Sequence, residues 1–182
     1  MEKIDFVILW VDGDDESWIR KKRQYYNNEL NQNKASVYRD WGILKYWFRG
    51  VEKYTPWVNK IHFVTYGHLP KWLNINHPKI HIVKHEDIIS KEYLPTFSAN
   101  SIELNIHKIE GLSEKFVYFN DDTFIINSMN EEDFFDKGLP CDSAIMSATI
   151  PSVKNEIFTY ILFNDLLYIN ANFNKKDLKG HL

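Results

Sequence analysis

The sequence contains a single cysteine, Cys141. One cysteine excludes a disulfide scaffold and any cysteine-built zinc site, and it fits a reducing compartment. There is no excess of basic residues: 22 Lys and Arg stand against 25 Asp and Glu, for a formal charge of -3. Nucleic-acid binders normally show the opposite balance, so no nucleic-acid partner is expected. No apolar run approaches the roughly 18 residues needed to span a bilayer. The first residues lack the basic and apolar regions of a signal peptide. These absences predict a cytoplasmic protein and leave docking at the inner face of the membrane open. Glycine-rich phosphate loops are missing, both GxxxxGK[ST] and GxGxxG. So is a GxSxG nucleophile elbow. A zinc site is not expected from the seven histidines. No internal repeat or low-complexity tract is visible.

What is present is a chain of 182 residues, 44% hydrophobic and 15% aromatic. It is long enough to bury its own core and reads as one domain over residues 1–182. Ile4 to Val11 is an apolar run that ends abruptly in Asp12-Gly13-Asp14-Asp15, the pattern of a buried parallel strand and its turn. Glu16 to Leu30 is predicted helical, with Asp14 or Asp15 as its N-cap. Asn31 to Val37 is a polar loop. A second helix is predicted from Trp41 to about Tyr54, capped by Asp40, with Ile43, Leu44, Trp47, Phe48 and Val51 on one face. Strands follow at Lys60 to Thr65, Ile80 to Lys84 and Lys115 to Asn120. A third helix, capped by Ser98, carries Ala99, Ile102, Ile106 and Ile109 and ends at Gly111. Thr123 to Ile126 and Ser143 to Ala148 read as short strands, Glu131 to Phe135 as a helical turn, and Asn155 to Asn170 as an apolar helix. Strands alternating with helices predict an α/β fold with a mostly parallel sheet.

Ligands in such sheets bind beyond the carboxyl ends of the strands. Two acidic clusters follow strand ends. Asp121-Asp122 has the chemistry to hold a divalent cation on a diphosphate, because magnesium takes hard oxygen ligands. The same pair also reads as an ordinary solvated turn. Asp12 to Asp15 reads as a nucleotide loop, with Gly13 permitting close approach, or as plain helix capping. Arg39 is a candidate phosphate ligand or a surface arginine. Ser98, Asn100 and Glu103 lie near a helix N-terminus, a ready anion site or a simple serine cap. His107, four residues after Glu103, is a candidate general base or a structural histidine.

The residues that tie these clusters together form a recognisable series. It runs through IDFVILWVDGDD (4–15), RDWGILKY (39–46), VEKYTPWVNKIHFVTYG (51–67), LPKWLN (69–74), LPTFSANSIE (94–103) and HKIEGLSEKFVYFNDD (107–122). Over about residues 4–135 the chain resembles the Stealth family of sugar-phosphate transferases. That resemblance implies a Rossmann-like core similar to GT-A glycosyltransferases. It implies transfer of a hexose-1-phosphate, with N-acetylhexosamine-1-phosphate preferred, from a UDP-sugar donor to a saccharide acceptor, releasing UMP, in capsule or exopolysaccharide synthesis. It implies Mg²⁺ or Mn²⁺ on Asp121 and Asp122. Asp12, Gly13, Asp15 and Asp40 become nucleotide-pocket residues, and Arg39 a phosphate clamp. Ser98, Asn100 and Glu103 would line the sugar side; His107 falls in a shared stretch without an assigned role. Some relatives carry Asn in place of Asp12. Family members continue well over a hundred residues further, with more His- and Arg-containing blocks. Donor binding without turnover is therefore one expectation for this chain. A metal-dependent glycosyltransferase releasing UDP and a non-catalytic nucleotide-sugar module are the competing readings.

Overall fold

The computed structural model describes residues 2–25, 41–142 and 157–173. It divides into two compact units, Met1–Cys141 and Asp142–Leu182.

The first unit is built on a four-stranded parallel sheet. Its strands are β1 (Ile4–Trp10), β2 (Ile61–Thr65), β3 (Ile80–Lys84) and β4 (Lys115–Phe119), in the order β3-β2-β1-β4. Helices α1 (Glu16–Tyr25), α2 (Leu44–Tyr54), α3 (His85–Ile88) and α4 (Ala99–Glu103) supply the connections. A two-stranded ribbon, β5 (Phe135–Asp136) with β6 (Leu139–Pro140), closes the unit. The expected Rossmann-like α/β architecture is what the chain adopts.

β1 is apolar on both faces because both are covered. Ile4, Phe6, Ile8 and Trp10 join one buried cluster with Trp47 and Val51 of α2. Val7 joins another with Ile88 of α3 and Ile102 of α4. Successive side chains of a strand point to opposite faces, so a central parallel strand must be apolar at nearly every position. Asp5 interrupts that run. It is fully buried, and its carboxylate accepts hydrogen bonds from Asn59 Nδ2 (2.6 Å), the Lys60 amide (3.0 Å), His62 Nε2 (3.1 Å) and the Ser113 amide (2.8 Å). It thereby ties the start of β1 to the segments that lead into β2 and β4.

Several local expectations need correction. The second helix begins at Leu44 rather than Trp41, because Gly42 sits at φ +65°, outside helical space. Its N-cap residue is Ile43, which makes no side-chain cap. Arg39 and Asp40 lie outside the described residues, as do the Asn31–Val37 loop and the Ser143–Ala148 strand. The third helix is broken: α4 stops at Glu103, and a separate 3-10 turn covers Ile106–Lys108. The break still leaves Ile102, Ile106 and Ile109 in one buried cluster, which is why the periodicity looked continuous. Residues 123–126 form no strand; they pass over α2, where the Ile125 carbonyl lies 2.6 Å from the position of a β-carbon on Gly50. The close approach requires glycine there.

The second unit contains α5 (Ile157–Asn172), close to the apolar helix expected at Asn155–Asn170. No helix among the described residues is long and apolar enough to cross a membrane.

Candidate functional site

The strand order creates the site. From β1 the chain moves outward to β2 and β3, then returns to place β4 on the other side of β1. The reversal between β1 and β4 is a topological switch point, where such sheets open a crevice at their carboxyl ends. Ile8 is in register with Phe119, and neighbouring strands lie about 4.8 Å apart. The Asp12–Asp15 loop and Asp121-Asp122, 109 positions apart in sequence from Asp12 to Asp121, therefore leave adjacent strands at the same edge.

The loop after β1 is shaped by its own carboxylates. Asp12 Oδ1 accepts the Asp14 amide at 3.0 Å, an Asx turn in which Gly13 is central. Asp15 is the N-cap of α1: its Oδ1 accepts the Trp18 amide at 2.7 Å and the Ser17 hydroxyl at 2.5 Å. The Ser17 hydroxyl and the Trp18 amide hold its carboxyl below the usual range. Capping thus accounts for Asp15. Asp12 keeps an oxygen that the turn does not use.

A histidine pins this loop to β2. His68 Nε2 accepts the Asp12 amide at 2.7 Å, so in this arrangement its proton sits on Nδ1. Thr65 Oγ1 donates to the His68 carbonyl at 2.7 Å and fixes its backbone. Trp10 stands edge-on to the ring at 5.4 Å. Burial lowers the pKa of His68, against the opposing pull of Asp12 and Asp15. Next to it, His85, the first residue of α3, is buried and pushed down to about 4, by burial and then by the charge of His68. Its Nδ1 finds no hydrogen-bond partner among the described residues. Sequence reasoning missed both histidines because it weighed histidine only as a zinc ligand or a general base. Their signal was position: each directly follows or closely follows a strand.

The segment 94–103 comes to the same edge. Phe97 packs edge-on against Trp18 of α1 at 5.7 Å. Ser98 occupies the N-cap position of α4 without a side-chain cap bond, and Asn100 is exposed. Glu103 is joined to β4: the Tyr118 hydroxyl donates to its Oε1 at 2.9 Å and reaches Asn120 Oδ1 at 3.2 Å. Burial, the bond to Glu103 and the charges of Glu103 and Asp121 all raise the Tyr118 phenol well above its ordinary range. Tyr118 therefore stays a neutral donor that positions Glu103 beside the acidic turn.

Asp121 and Asp122 are exposed in that turn, which closes through the Thr123 amide on the Asn120 carbonyl at 3.1 Å. Among the described residues no three His, Cys, Asp or Glu side chains form a metal cage. Two neighbouring hard-oxygen donors still suit magnesium, which is commonly held by one or two carboxylates with phosphates and water completing its shell. His107 stands apart. It is exposed on the 3-10 turn, and the helix break removes the helical spacing that related it to Glu103.

This geometry coincides with a family pattern. Residues 37–142 match Stealth protein CR2, conserved region 2, and residues 2–29 match Stealth protein CR1, conserved region 1. The chain belongs to the Stealth family. It is 50% identical over 181 residues to the capsular polysaccharide phosphotransferase WcwK of Streptococcus pneumoniae, covering 98% of this chain and 53% of that protein. It is 49% identical over 181 residues to the capsular polysaccharide phosphotransferase eps5J of Streptococcus thermophilus, covering 97% of this chain and 75% of that one. It is 49% identical over 173 residues to the exopolysaccharide phosphotransferase cps2G of Lactiplantibacillus plantarum, covering 94% and 50%. The chain thus spans about half the length of the pneumococcal and Lactiplantibacillus relatives. The Stealth regions take in both acidic clusters and the 94–103 segment.

Proposed function

We propose that this chain carries the donor-binding part of a sugar-phosphate transferase of polysaccharide synthesis. The donor is a UDP-sugar, the transferred group a hexose-1-phosphate such as N-acetylhexosamine-1-phosphate, and the acceptor a saccharide hydroxyl. The acceptor oxygen forms a bond to the β-phosphorus as the bond to the UMP oxygen breaks, and the hydroxyl proton is released. One observation carries this reading: two Stealth acidic clusters leave adjacent strands at the switch point, beside the Tyr118–Glu103 pair.

Asp121 and Asp122 would hold Mg²⁺ or Mn²⁺, which when bound neutralises diphosphate charge. The Asp12–Gly13 turn, held by His68, would receive the nucleotide, with Asp15 shaping the loop as the cap of α1. Ser98, Asn100 and Glu103 would face the sugar, Glu103 being kept an acceptor by the Tyr118 proton. Arg39 and Asp40 are assigned to the phosphate and the pocket from the family pattern alone. His107 is nominated as base on sequence alone; its exposure leaves the imidazole open to solvent. Binding at the inner membrane face is compatible with this role.

The test is titration of UDP-N-acetylglucosamine with and without Mg²⁺, followed by phosphorus NMR after adding an oligosaccharide acceptor. Metal-dependent binding that the Asp121→Asn/Asp122→Asn variant loses is expected, with UMP and a phosphodiester signal wherever turnover occurs. Release of UDP would replace this mechanism with glycosyl transfer. Binding that ignores both metal and variant would overturn the site assignment.

A further inference from the structure

A cavity of about 470 Å³ lies away from the strand-end site, between α2 and the β2–β3 connection. Its volume is ordinary for a ligand site. No residue of the strand-end site lines it. Its apolar floor includes Val51, Val58 and Ile80. One wall presents Trp72, which is 45% exposed and stands edge-on to Phe48 at 5.6 Å. Three cations line the cavity, Lys45, Arg49 and Lys79, against one carboxylate, Glu52. Lys45 and Arg49 are one helical turn apart on α2. Among the described residues neither has a carboxylate within ion-pair distance; both lie over the Tyr46 ring, at 5.2 and 5.4 Å. Lys79 donates to the Pro56 carbonyl at 2.7 Å and has two further protons to give. Asn74, also on the wall, uses its oxygen to accept the Asn76 amide at 3.2 Å, which leaves its amide protons to donate.

We propose that this groove binds a saccharide chain carrying phosphodiester charge. A pyranose presents a flat apolar face that an exposed indole can cover, and a rim of hydroxyls that amide donors can meet. A neutral glycan has no use for the cation excess. A phosphodiester does: guanidinium and ammonium groups give it charge-assisted hydrogen bonds. The groove would hold such a chain apart from the strand-end donor site, keeping a growing polymer on the protein between transfers. The choice of ligand rests on the transfer reaction proposed above, whose product is a chain of this kind; the groove's shape and charge do not.

The experiment follows the Trp72 indole and Arg49 amide by proton–nitrogen NMR. The probes are a size-fractionated capsular polysaccharide with phosphodiester linkages, a neutral dextran of matched length, and UDP-N-acetylglucosamine. The phosphodiester chain is expected to shift both signals, with the dextran weaker by about tenfold, the loss of one good charge-assisted contact. The Lys45→Glu/Arg49→Glu variant, altered only on the helix surface and checked by its melting temperature, should lose at least as much. Equal binding of dextran and phosphodiester chain, unchanged binding by the folded variant, or shifts confined to the strand ends would each overturn the proposal. The UDP-sugar arm separates the two readings. If the nucleotide sugar fails to bind at the Asp12 loop while the polysaccharide still shifts Trp72, the donor-site reading fails and the groove stands. If the nucleotide sugar itself moves Trp72, the groove is not a polymer site.

Discussion

Replacing Asp5 by asparagine tests how the sheet is fastened. One carboxylate oxygen accepts from Asn59 Nδ2 and the Lys60 amide; the other accepts from His62 Nε2 and the Ser113 amide. An asparagine keeps one acceptor and puts an NH₂ group where the second was. With the NH₂ toward β4, the Ser113 amide is stranded. With it toward β2, the Lys60 amide is stranded. Rotating the Asn59 amide or moving the His62 proton cannot rescue either backbone N–H. One buried donor without a partner costs about 1–3 kcal/mol, and lost charge assistance adds roughly 1 more. The expected loss is about 2–4 kcal/mol, or roughly 6–15 °C in melting temperature for a unit of this size. Urea denaturation followed by tryptophan fluorescence measures it. A loss below about 0.5 kcal/mol would mean that water reaches this network, and would refute the reasoning.

The same network sets a pH signature. Burial lowers the His62 pKa more than its bond and charge interaction with Asp5 raise it, so the folded state holds His62 neutral. His62 then donates from Nε2 to Asp5 and accepts at Nδ1 from His81, 2.8 Å away. Because the folded value lies below the ordinary 6.5, the unfolded chain binds the proton first. Stability is full above 6.5 and falls as the pH drops toward the folded value. Burial would raise Asp5, but bonds from Asn59, His62 and Ser113 together hold it below 3.8. Its contribution is present above 3.8 and is lost as acid carries the pH below that through the folded value. Asp5→Asn removes this second, more acidic loss and leaves no carboxylate to stabilise protonated His62.

Three further predictions concern the strand-end site. Gly50→Ala puts a β-carbon 2.6 Å from the Ile125 carbonyl, which should cost about 1–3 kcal/mol and shift the segment following Asp121-Asp122; unchanged stability and unchanged Ile125 amide shifts would count against it. The Asp12 amide resonance should titrate with a midpoint below 6.5, because protonating His68 at Nε2 removes its acceptor; His68→Ala should abolish the titration, and persistence in that variant would show another cause. Tyr118→Phe should cost about 0.5–1.5 kcal/mol through the lost Glu103 bond, and should remove a phenol that ionises only well above 10. The two proteins should therefore gain phenolate absorbance alike around pH 10, and an extra phenolate appearing there in the unsubstituted protein alone would contradict the assignment.

The four strands were legible in the sequence because each is a short apolar run bounded by polar turns. The two-sided burial of β1 could be read from IDFVILW itself, since a one-sided strand would alternate. The cap of α1 was also local: Asp15 and the amide it caps are three residues apart. What the sequence could not supply was adjacency. The pairing of β1 with β4 spans a hundred residues, and only that pairing sets Asp12 and Asp121 at neighbouring strand ends. Hydrophobic period misled where backbone conformation ruled: Gly42 shortened α2, and Ile102, Ile106 and Ile109 share one buried face across a broken helix. The histidines show the same division. His68 and His85 differ little from the other five in local sequence, yet one braces the Asp12 loop and the other is buried beside it. Residue type and spacing fix local hydrogen bonds and periodic faces, whereas burial and long-range partners arise only when the sheet assembles.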